Sequence, residues 1–345
     1  MRSLSNVFAA IACALVLGAA ATTVTARGAT AAPAAPTPAE NPPIVATFSI
    51  VAYDSANGDL GVAVASRVLA CGTVVPYARA GVGAIATQAL ANPTFGPRGL
   101  ALLEEGNSAQ QTLDLLIKSD PGRARRQVGV IDAQGRVASY TGDSCNAWAG
   151  GVQGLHYSAQ GNILTGEDVV RGMGRAFETT RGTIDERLLA ALRAAEAAGG
   201  DTRGKQSAAI LVVRAKGGYN GMNDRYLDLR VDDNPEPVEE LARIHGIWRL
   251  QRLMTRAFEH YQKEEWPNAI TLAEEALAAQ PDDPATRYNL ACFCARGGRK
   301  ADAFAHLAGA IERDASYRAL AAGDADFASL KKDKRWKQLV EDAGE

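Results

Sequence analysis

Basic residues next to turns and predicted strand ends are the side chains of this sequence best suited to bind a charged ligand. Four such residues are Arg67, Arg98, Arg203 and Lys205. The planar guanidinium group donates paired hydrogen bonds to a carboxylate, a geometry that suits arginine particularly well. The set indicates an anionic or carboxylate-bearing ligand, although solvated arginines at turns would look the same in a sequence.

Two further segments carry polar groups that could line a cleft. The stretch "AQGN" (159–162) precedes a predicted helix, and its backbone N–H groups or the Asn162 amide could form an oxyanion hole. The stretch "ANPTFGPRG" (91–99) is predicted to be a rigid loop that presents Asn92 and Arg98. Both segments could equally be ordinary turns.

No metal or cofactor site is predicted. Cys292 and Cys294 form a C-x-C pair, but neither a second cysteine pair nor clustered histidines complete a zinc site. The four histidines cannot be assembled into a Ser-His-Asp arrangement. The expectation is therefore a site without a cofactor.

The composition bounds the class of protein. The chain has 345 residues, 47% of them hydrophobic and 22% charged, which is ordinary for globular domains and leaves room for two. Its net charge of -2 gives no basic field for nucleic acid. We expect no nucleic-acid partner.

The N-terminus predicts export. Arg2 precedes an apolar run from Val7 to Ala21, and small residues follow, as in a secretory signal peptide. We assign residues 1–26 to this signal and the Pro/Ala-rich residues 27–45 to a disordered linker. The apolar run is short for a membrane span, so we expect a secreted or periplasmic protein with no span after signal removal.

The remaining chain divides into two predicted domains. Residues 46–235 read as a β-hairpin, a helix, a β-hairpin, two helices and a last β-hairpin, which indicates an α+β layered fold. Residues 236–345 read as helical throughout. There, Ala269, Ala273 and Ala276 recur 34 residues later as Ala303, Leu307 and Ala310, a period that resembles the tetratricopeptide repeat (TPR). A generic helix bundle is the alternative, and either could bind a protein partner or form a homodimer.

Several segments together resemble a bacterial family of uncharacterised proteins assigned to the N-terminal nucleophile (Ntn) hydrolase superfamily. They are "TFSIVAYDSANGDLGVAVASR", "ATQALANPTFGPRGLALL", "QVGVIDAQGRVASYTG", "AQGNIL", "GGDTRGKQSAAILVV" and "DLRVDDNPEPVEEL". The resemblance runs over about residues 46–245. It implies a four-layer αββα sandwich and an amide-hydrolysing activity, with a small amide or peptide-like substrate.

The resemblance also implies the nucleophile. In this superfamily, the first residue of the mature chain attacks with its side chain while its own α-amino group takes the proton. The matching residue here is Thr47, so the bond between Ala46 and Thr47 would have to be cut, by autoproteolysis in the usual case. If that bond stays intact, Thr47 is a plain strand residue.

Supporting residues follow from the same resemblance. Asp201 and Ser207 occupy the positions that lie close to the nucleophile's amine in proteasome-type relatives, whereas Ala65 stands where those relatives have an acid. Ser66 and Arg67 follow Ala65. This departure leaves open a silent binding module, or a different hydrolytic centre around Ser66 and Asp201 that needs no free N-terminus.

Overall fold

The computed structural model describes residues 47–341. The predicted signal peptide, the predicted linker and Ala46 lie outside the described residues. Thr47 is the first residue described, and it opens the first strand.

Within residues 47–341, ten strands form two antiparallel sheets. A six-stranded sheet has the order β10-β9-β2-β1-β8-β7, and a four-stranded sheet has the order β3-β4-β5-β6. The strands are β1 Thr47–Asp54, β2 Asp59–Ser66, β3 Pro76–Arg79, β4 Gly83–Ala89, β5 Arg126–Asp132, β6 Val137–Thr141, β7 Gly150–Gly154, β8 Tyr157–Asn162, β9 Ser207–Val213 and β10 Arg225–Val231.

Ten helices accompany the sheets in the described part of the chain. They are α1 Phe95–Glu104, α2 Ala109–Lys118, α3 Glu167–Thr179, α4 Ile184–Ala197, α5 Pro237–Gln262, α6 Trp266–Ala279, α7 Pro284–Arg296, α8 Lys300–Arg313, α9 Ser316–Gly323 and α10 Lys334–Trp336. The first four belong with the sheets, and the last six form the helical C-terminal region. No helix of residues 47–341 is long and apolar enough to cross a bilayer.

The first hairpin shows why these residues form strands. Apolar residues occupy both faces of β1 and β2, which suits central strands covered on both sides. Between them, Gly58 adopts a φ of 81°, a left-handed conformation that glycine reaches without strain. The predicted hairpin and its turn are confirmed.

Alternation along β1 separates two faces of the six-stranded sheet. Phe48 and Ile50 pack with the buried residues of α3 and α4, whereas Val51 packs with residues of the four-stranded sheet. On its other face the four-stranded sheet is covered by α1 and α2, where Ile85 packs with Leu116. The N-terminal region is therefore a mixed α/β domain of antiparallel sheets with helices outside them.

The prediction of a rigid loop over residues 91–99 was wrong in its second half. Residues 95–99 lie in α1, and Pro97 falls in the first turn of that helix, where proline is tolerated. Residues 157–162 form β8, so Gly161 and Asn162 end a strand, and the alternative of an ordinary turn there does not hold.

The C-terminal region is helical, as expected. Ala269 and Ala273 of α6 and their counterparts Ala303 and Leu307 of α8 are all fully buried in one core. Small residues at these positions let the helices of successive hairpins pack closely. The 34-residue period thus marks the buried face of each repeat.

Candidate functional site

Four of the predicted site residues lie in one row across the six-stranded sheet. Thr47 pairs with Ser66 on one side and with Asn162 on the other, and Ser66 pairs with Ser207. Directly opposed residues of antiparallel strands point to the same face. The row, which runs Asn162–Thr47–Ser66–Ser207, faces the layer between the two sheets.

Hydroxyl groups lie in direct contact along this row. Thr47 Oγ1 donates to Ser66 Oγ at 3.2 Å, and both side chains are buried. The Ser207 hydroxyl donates to the carbonyl of Val68 at 2.5 Å and accepts from the N–H of Cys71 at 3.1 Å. Ser207 therefore fixes the loop that follows β2, while Ser66 is the hydroxyl neighbour of Thr47.

A layer of buried amides lies against Thr47. Gln88 of β4 donates through Nε2 to the carbonyl oxygen of Thr47 at 3.3 Å and to Gln127 Oε1 at 2.8 Å. Gln127 Oε1 also accepts from Asn162 Nδ2 at 3.0 Å. Deeper in the layer, Gln160 Nε2 donates to Ser49 Oγ at 2.7 Å. All these side chains are essentially inaccessible to solvent, so we call Gln88, Gln127, Gln160 and Asn162 the amide layer.

Asp201 orders the end of β2. Its carboxylate accepts from the backbone N–H of Arg67 at 3.1 Å and forms an ion pair with Arg203, whose Nη2 lies 2.8 Å from Oδ2. The Asp201 side chain is buried, whereas Arg67 reaches outward to Gln206 Oε1 at 2.6 Å. The structure thus brings Arg67, Asp201 and Arg203 together, and Asp201 holds the strand end next to Ser66.

A cavity of about 90 Å³ lies beside these strand ends. Ser66, Asp201, Glu196 and Lys205 are among its lining residues. Hydrogen bonding to Glu236 and to Glu196 raises the pKa of Lys205, and burial raises the pKa of Glu196. The carboxylates of Glu196 and Glu236 both lie within 3.1 Å of the Lys205 ammonium. Lys205 therefore pairs with acidic residues of this chain, although it was predicted to bind an anionic ligand.

Asn92 and Arg98 lie in a different environment from the row. Asn92 donates to Asp120 at 3.2 Å and accepts from Thr94 before α1, and the exposed Arg98 donates to Ser119. Burial raises the pKa of Asp120, but hydrogen bonds from Arg126 and Asn92 outweigh it and hold that pKa below its usual value. Asn92 thus belongs to a structural network at the start of α1.

The backbone is strained directly beside the amide layer. Ala89, which follows Gln88, has a φ of 68°, and Ile163, which follows Asn162, has a φ of 54°. A β-branched residue rarely adopts this left-handed conformation, and such residues concentrate at functional sites.

One group in the described part of the helical region has metal-ligand geometry. Ligand atoms of Cys292, Asp324 and Asp326 lie within 4.8 Å of one another. The hydroxyls of Tyr288 and Tyr261 donate to Asp324 and Asp326 at 2.7 and 2.6 Å, and burial raises the pKa of the Cys292 thiol. The group is a hydrogen-bonded cluster whose acceptors are already engaged. The thiols of the described cysteines are all free, so the structure shows no disulfide in residues 47–341.

Sequence reasoning missed the three glutamines of the amide layer. They are Gln88 in "ATQAL", Gln127 in "RQVGV" and Gln160 in "AQGN". The strand period places Gln88 on the buried face of Ala86 and Gln127 on that of Ile131, whereas Gln160 shares its face with Ser158 and Asn162. A lone amide at an inward strand position was the available signal, since buried amides need partners.

Comparisons with known proteins agree with this division of the chain. The model of the family described as "Family of unknown function (DUF1028)" matches residues 47–241, and a tetratricopeptide repeat model matches residues 265–338. The crystal structure of protein SPO2555 from Silicibacter pomeroyi, described with the same DUF1028 model, is 32% identical with a TM-score of 0.53. That match covers 58% of this chain and 88% of the other. No curated protein matches the chain. The chain therefore belongs to the DUF1028 family of unknown function, and it carries a C-terminal region of TPR-like repeats.

Proposed function

We propose that the chain is an Ntn-type amide hydrolase that acts by acyl transfer from Thr47 once the bond before Thr47 has been cut. The proposal includes export, since the residues before Thr47 read as a signal peptide and a linker. The substrate class is a small amide or a peptide-like molecule.

The position of Thr47 is the observation that carries this proposal. Its hydroxyl lies at the start of a central strand, turned into the layer between the sheets, 3.2 Å from a second hydroxyl and next to buried amide donors. A strand residue with no role beyond the fold would be expected to face solvent or apolar neighbours instead. The helices outside the two facing sheets also support the αββα arrangement of the superfamily.

A free amine on Thr47 would supply the missing base. The hydroxyl of threonine is a weak nucleophile and needs an adjacent group to take its proton. A peptide nitrogen cannot do this, but an α-amino group has an ordinary pKa of about 7.7–8.0, close to neutral pH.

The reaction then balances as follows. The neutral α-amine takes the proton of Thr47 Oγ1, and the oxygen attacks the substrate carbonyl carbon. The C–N bond of the amide breaks, and the ammonium returns its proton to the leaving amine. Water, deprotonated by the same amine, next attacks the acyl ester on Oγ1, releases the carboxylic acid and restores the hydroxyl.

The first cut is an acyl shift from nitrogen to oxygen within one chain, and no free amine takes part in it. Thr47 Oγ1 attacks the carbonyl carbon of Ala46, the Ala46–Thr47 peptide bond breaks, and the hydroxyl proton passes to the leaving nitrogen. The nitrogen becomes a free amine while an ester joins Ala46 to Oγ1. Water hydrolyses this ester. The Ser66 hydroxyl, as the hydrogen-bond partner of Oγ1, is suited to orient it for the attack.

The test is the intact mass of the exported full-length protein. We expect the wild-type chain and Thr47→Ser to begin at residue 47, and Thr47→Ala to keep the residues before it. A β-lactone probe should add covalently to the first residue of the wild-type chain and leave Thr47→Ala unmodified.

Two results would contradict the proposal. A wild-type mass that retains the linker would show that Thr47 has no free amine. Hydrolysis of amides by a chain that retains the linker would indicate the alternative centre around Ser66 and Asp201.

A protein partner for the C-terminal region is a second proposal, and the match to the tetratricopeptide repeat supports it. Repeats of this kind bury a common core and present the remaining surface to partners. If the N-terminal domain proves to have no turnover, we infer a binding module with an interaction tail. Cross-linking of the wild-type full chain and of the Thr47→Ala chain separates this role from catalysis, because a binding role does not need the Thr47 hydroxyl.

A further inference from the structure

The orientation of the Gln88 amide is fixed by its contacts. Its Nε2 atom lies 3.3 Å from the carbonyl oxygens of Thr47 and Gln160 and 2.8 Å from Gln127 Oε1. Backbone carbonyls only accept hydrogen bonds, so the nitrogen must point toward them and the oxygen away. Gln88 therefore touches the carbonyl group of Thr47 through a donor, and its acceptor points away from the two carbonyl oxygens.

That acceptor has no donor. Gln88 Oε1 is buried and makes no hydrogen bond, whereas Gln127 and Gln160 use both their nitrogen and their oxygen. Other buried side-chain atoms without partners in the described chain are Thr112 Oγ1, Asp185 Oδ1 and Arg287 Nε. Native structures leave few such atoms, and each calls for a physical reason.

We propose that Gln88 Oε1 accepts a hydrogen bond from the α-amino group that Thr47 acquires when the Ala46–Thr47 bond is cut. This inference rests on the proposed function. The cut replaces one peptide N–H by an amine with two or three N–H bonds, and Gln88 already contacts the same residue. The acceptor that lacks a partner in the uncut chain is thus satisfied in the mature one.

The proposal gives a reason for glutamine at this position. A carboxylate would favour the charged ammonium, raise its pKa and leave little neutral amine to act as a base. An amide oxygen accepts an N–H without adding charge and cannot give the amine a proton. Gln88 is therefore a positioning residue, which orients the amine while leaving its lone pair for Thr47 Oγ1.

The side chains that share this face with Thr47 on the paired and facing strands are uncharged. They are Ser66 of β2, Asn162 of β8, Gln88 of β4 and Gln127 of β5, with Ser207 of β9 one strand further away. Charged groups at the ends of these strands are already in ion pairs, Arg203 with Asp201 and Arg126 with Asp120, except for Arg67, which bonds Gln206. A charge placed at residue 88 should therefore act strongly on the amine.

The test measures the pKa of the Thr47 amine in the full chain as it is exported and cut. Its rate of reductive methylation is followed against pH by mass spectrometry of the N-terminal peptide, for wild type, Gln88→Glu, Gln88→Met and Gln160→Glu. We expect Gln88→Glu to raise the amine pKa by roughly one unit or more, because an opposite charge stabilises the ammonium. Gln88→Met should lower it, because the ammonium loses an acceptor.

Gln160→Glu is the matched control, because it places the same charge in the amide layer next to Ser49 and Ser158 rather than next to Thr47. An amine pKa unchanged by both Gln88 substitutions, or shifted as far by Gln160→Glu, overturns the role of Gln88 and leaves the proposed function standing. Loss of the cut in both Gln88 variants, with Gln160→Glu still cut, also overturns it and assigns Gln88 to processing. An uncut wild-type chain overturns both proposals.

Discussion

The space between the two sheets has an apolar half and a polar half, although the same strands line both. Along β1, Val51 belongs to the apolar half, while Ser49 and Thr47, on the same face, belong to the polar half. Along β5, Ile131 is apolar and Gln127 lies in the amide layer. One face of each strand thus changes character within four residues.

The two halves are held together by different forces. Burial of apolar side chains is non-directional, so the apolar half supplies stability without fixing atoms to within a few tenths of an ångström. The amide layer gains little net stability from each hydrogen bond, but its directional contacts fix each group against its neighbours. The comparison teaches that this fold keeps stability and precise positioning in separate parts of one layer.

The largest effect on folding should come from the apolar half. Ile131→Ala removes a fully buried side chain between the sheets and leaves a cavity, so we expect the free energy of unfolding to fall by about 2–5 kcal/mol. Urea unfolding followed by circular dichroism measures this. Ile131→Val should cost only about 0.5–1.5 kcal/mol, and an equal loss in both variants would contradict the cavity argument.

A smaller loss is expected from the polar half. Gln127→Leu keeps the volume but leaves Asn162 Nδ2 without its acceptor and removes one of the three acceptors of Gln88 Nε2, at a cost of about 1–3 kcal/mol. The same unfolding measurement applies, with the exposed Gln110→Leu as the control that should change little. A stability gain in Gln127→Leu would mean that the amide layer is not satisfied as described.

The smallest effect concerns pH and should come from Asp120, whose ion pair with Arg126 lies at the start of β5. Its pKa is lowered in the folded chain, so its contribution to stability is present above the unfolded value and is lost as the pH falls through the folded one. We expect Asp120→Asn to lose less stability than wild type between pH 6 and pH 3. Acid titration of the urea midpoint tests this, with the exposed Asp114→Asn as the matched variant, and parallel curves for Asp120→Asn and wild type would refute it.

The sequence was most informative where local pattern and tertiary packing agree. Alternation and turn chemistry predicted the first hairpin, whose two strands and turn the structure shows. Thr47 and Ser207 of the row could be named because the segments that contain them resemble a known family, and Ser66 because it follows Ala65, where an acid was expected. Which of them would touch could not be read from the chain, because strand order in a sheet is set by packing between distant segments.

Glycines made α1 and β7 difficult to predict from the sequence. Residues 95–104 contain two glycines in a short segment, and both are there for close packing: a Cβ on Gly96 would lie 2.2 Å from the Tyr77 ring, and one on Gly99 would lie 2.2 Å from Ile85. In β7, a Cβ on Gly151 would lie 2.8 Å from the carbonyl of Ala159. Such glycines lower helix and strand propensity locally, and only the tertiary contacts show why they are needed.

The long helix α5 belongs to both regions of the chain. Val238 and Leu241 near its start pack in the core of the α/β domain, and Leu253 and Ala257 near its end pack in the core of the repeats. At 26 residues it is about 39 Å long. A displacement of the repeats would therefore be transmitted to the α/β domain through a continuous helix rather than a flexible hinge. Cutting the chain in the middle of α5 would remove apolar contacts from both regions at once.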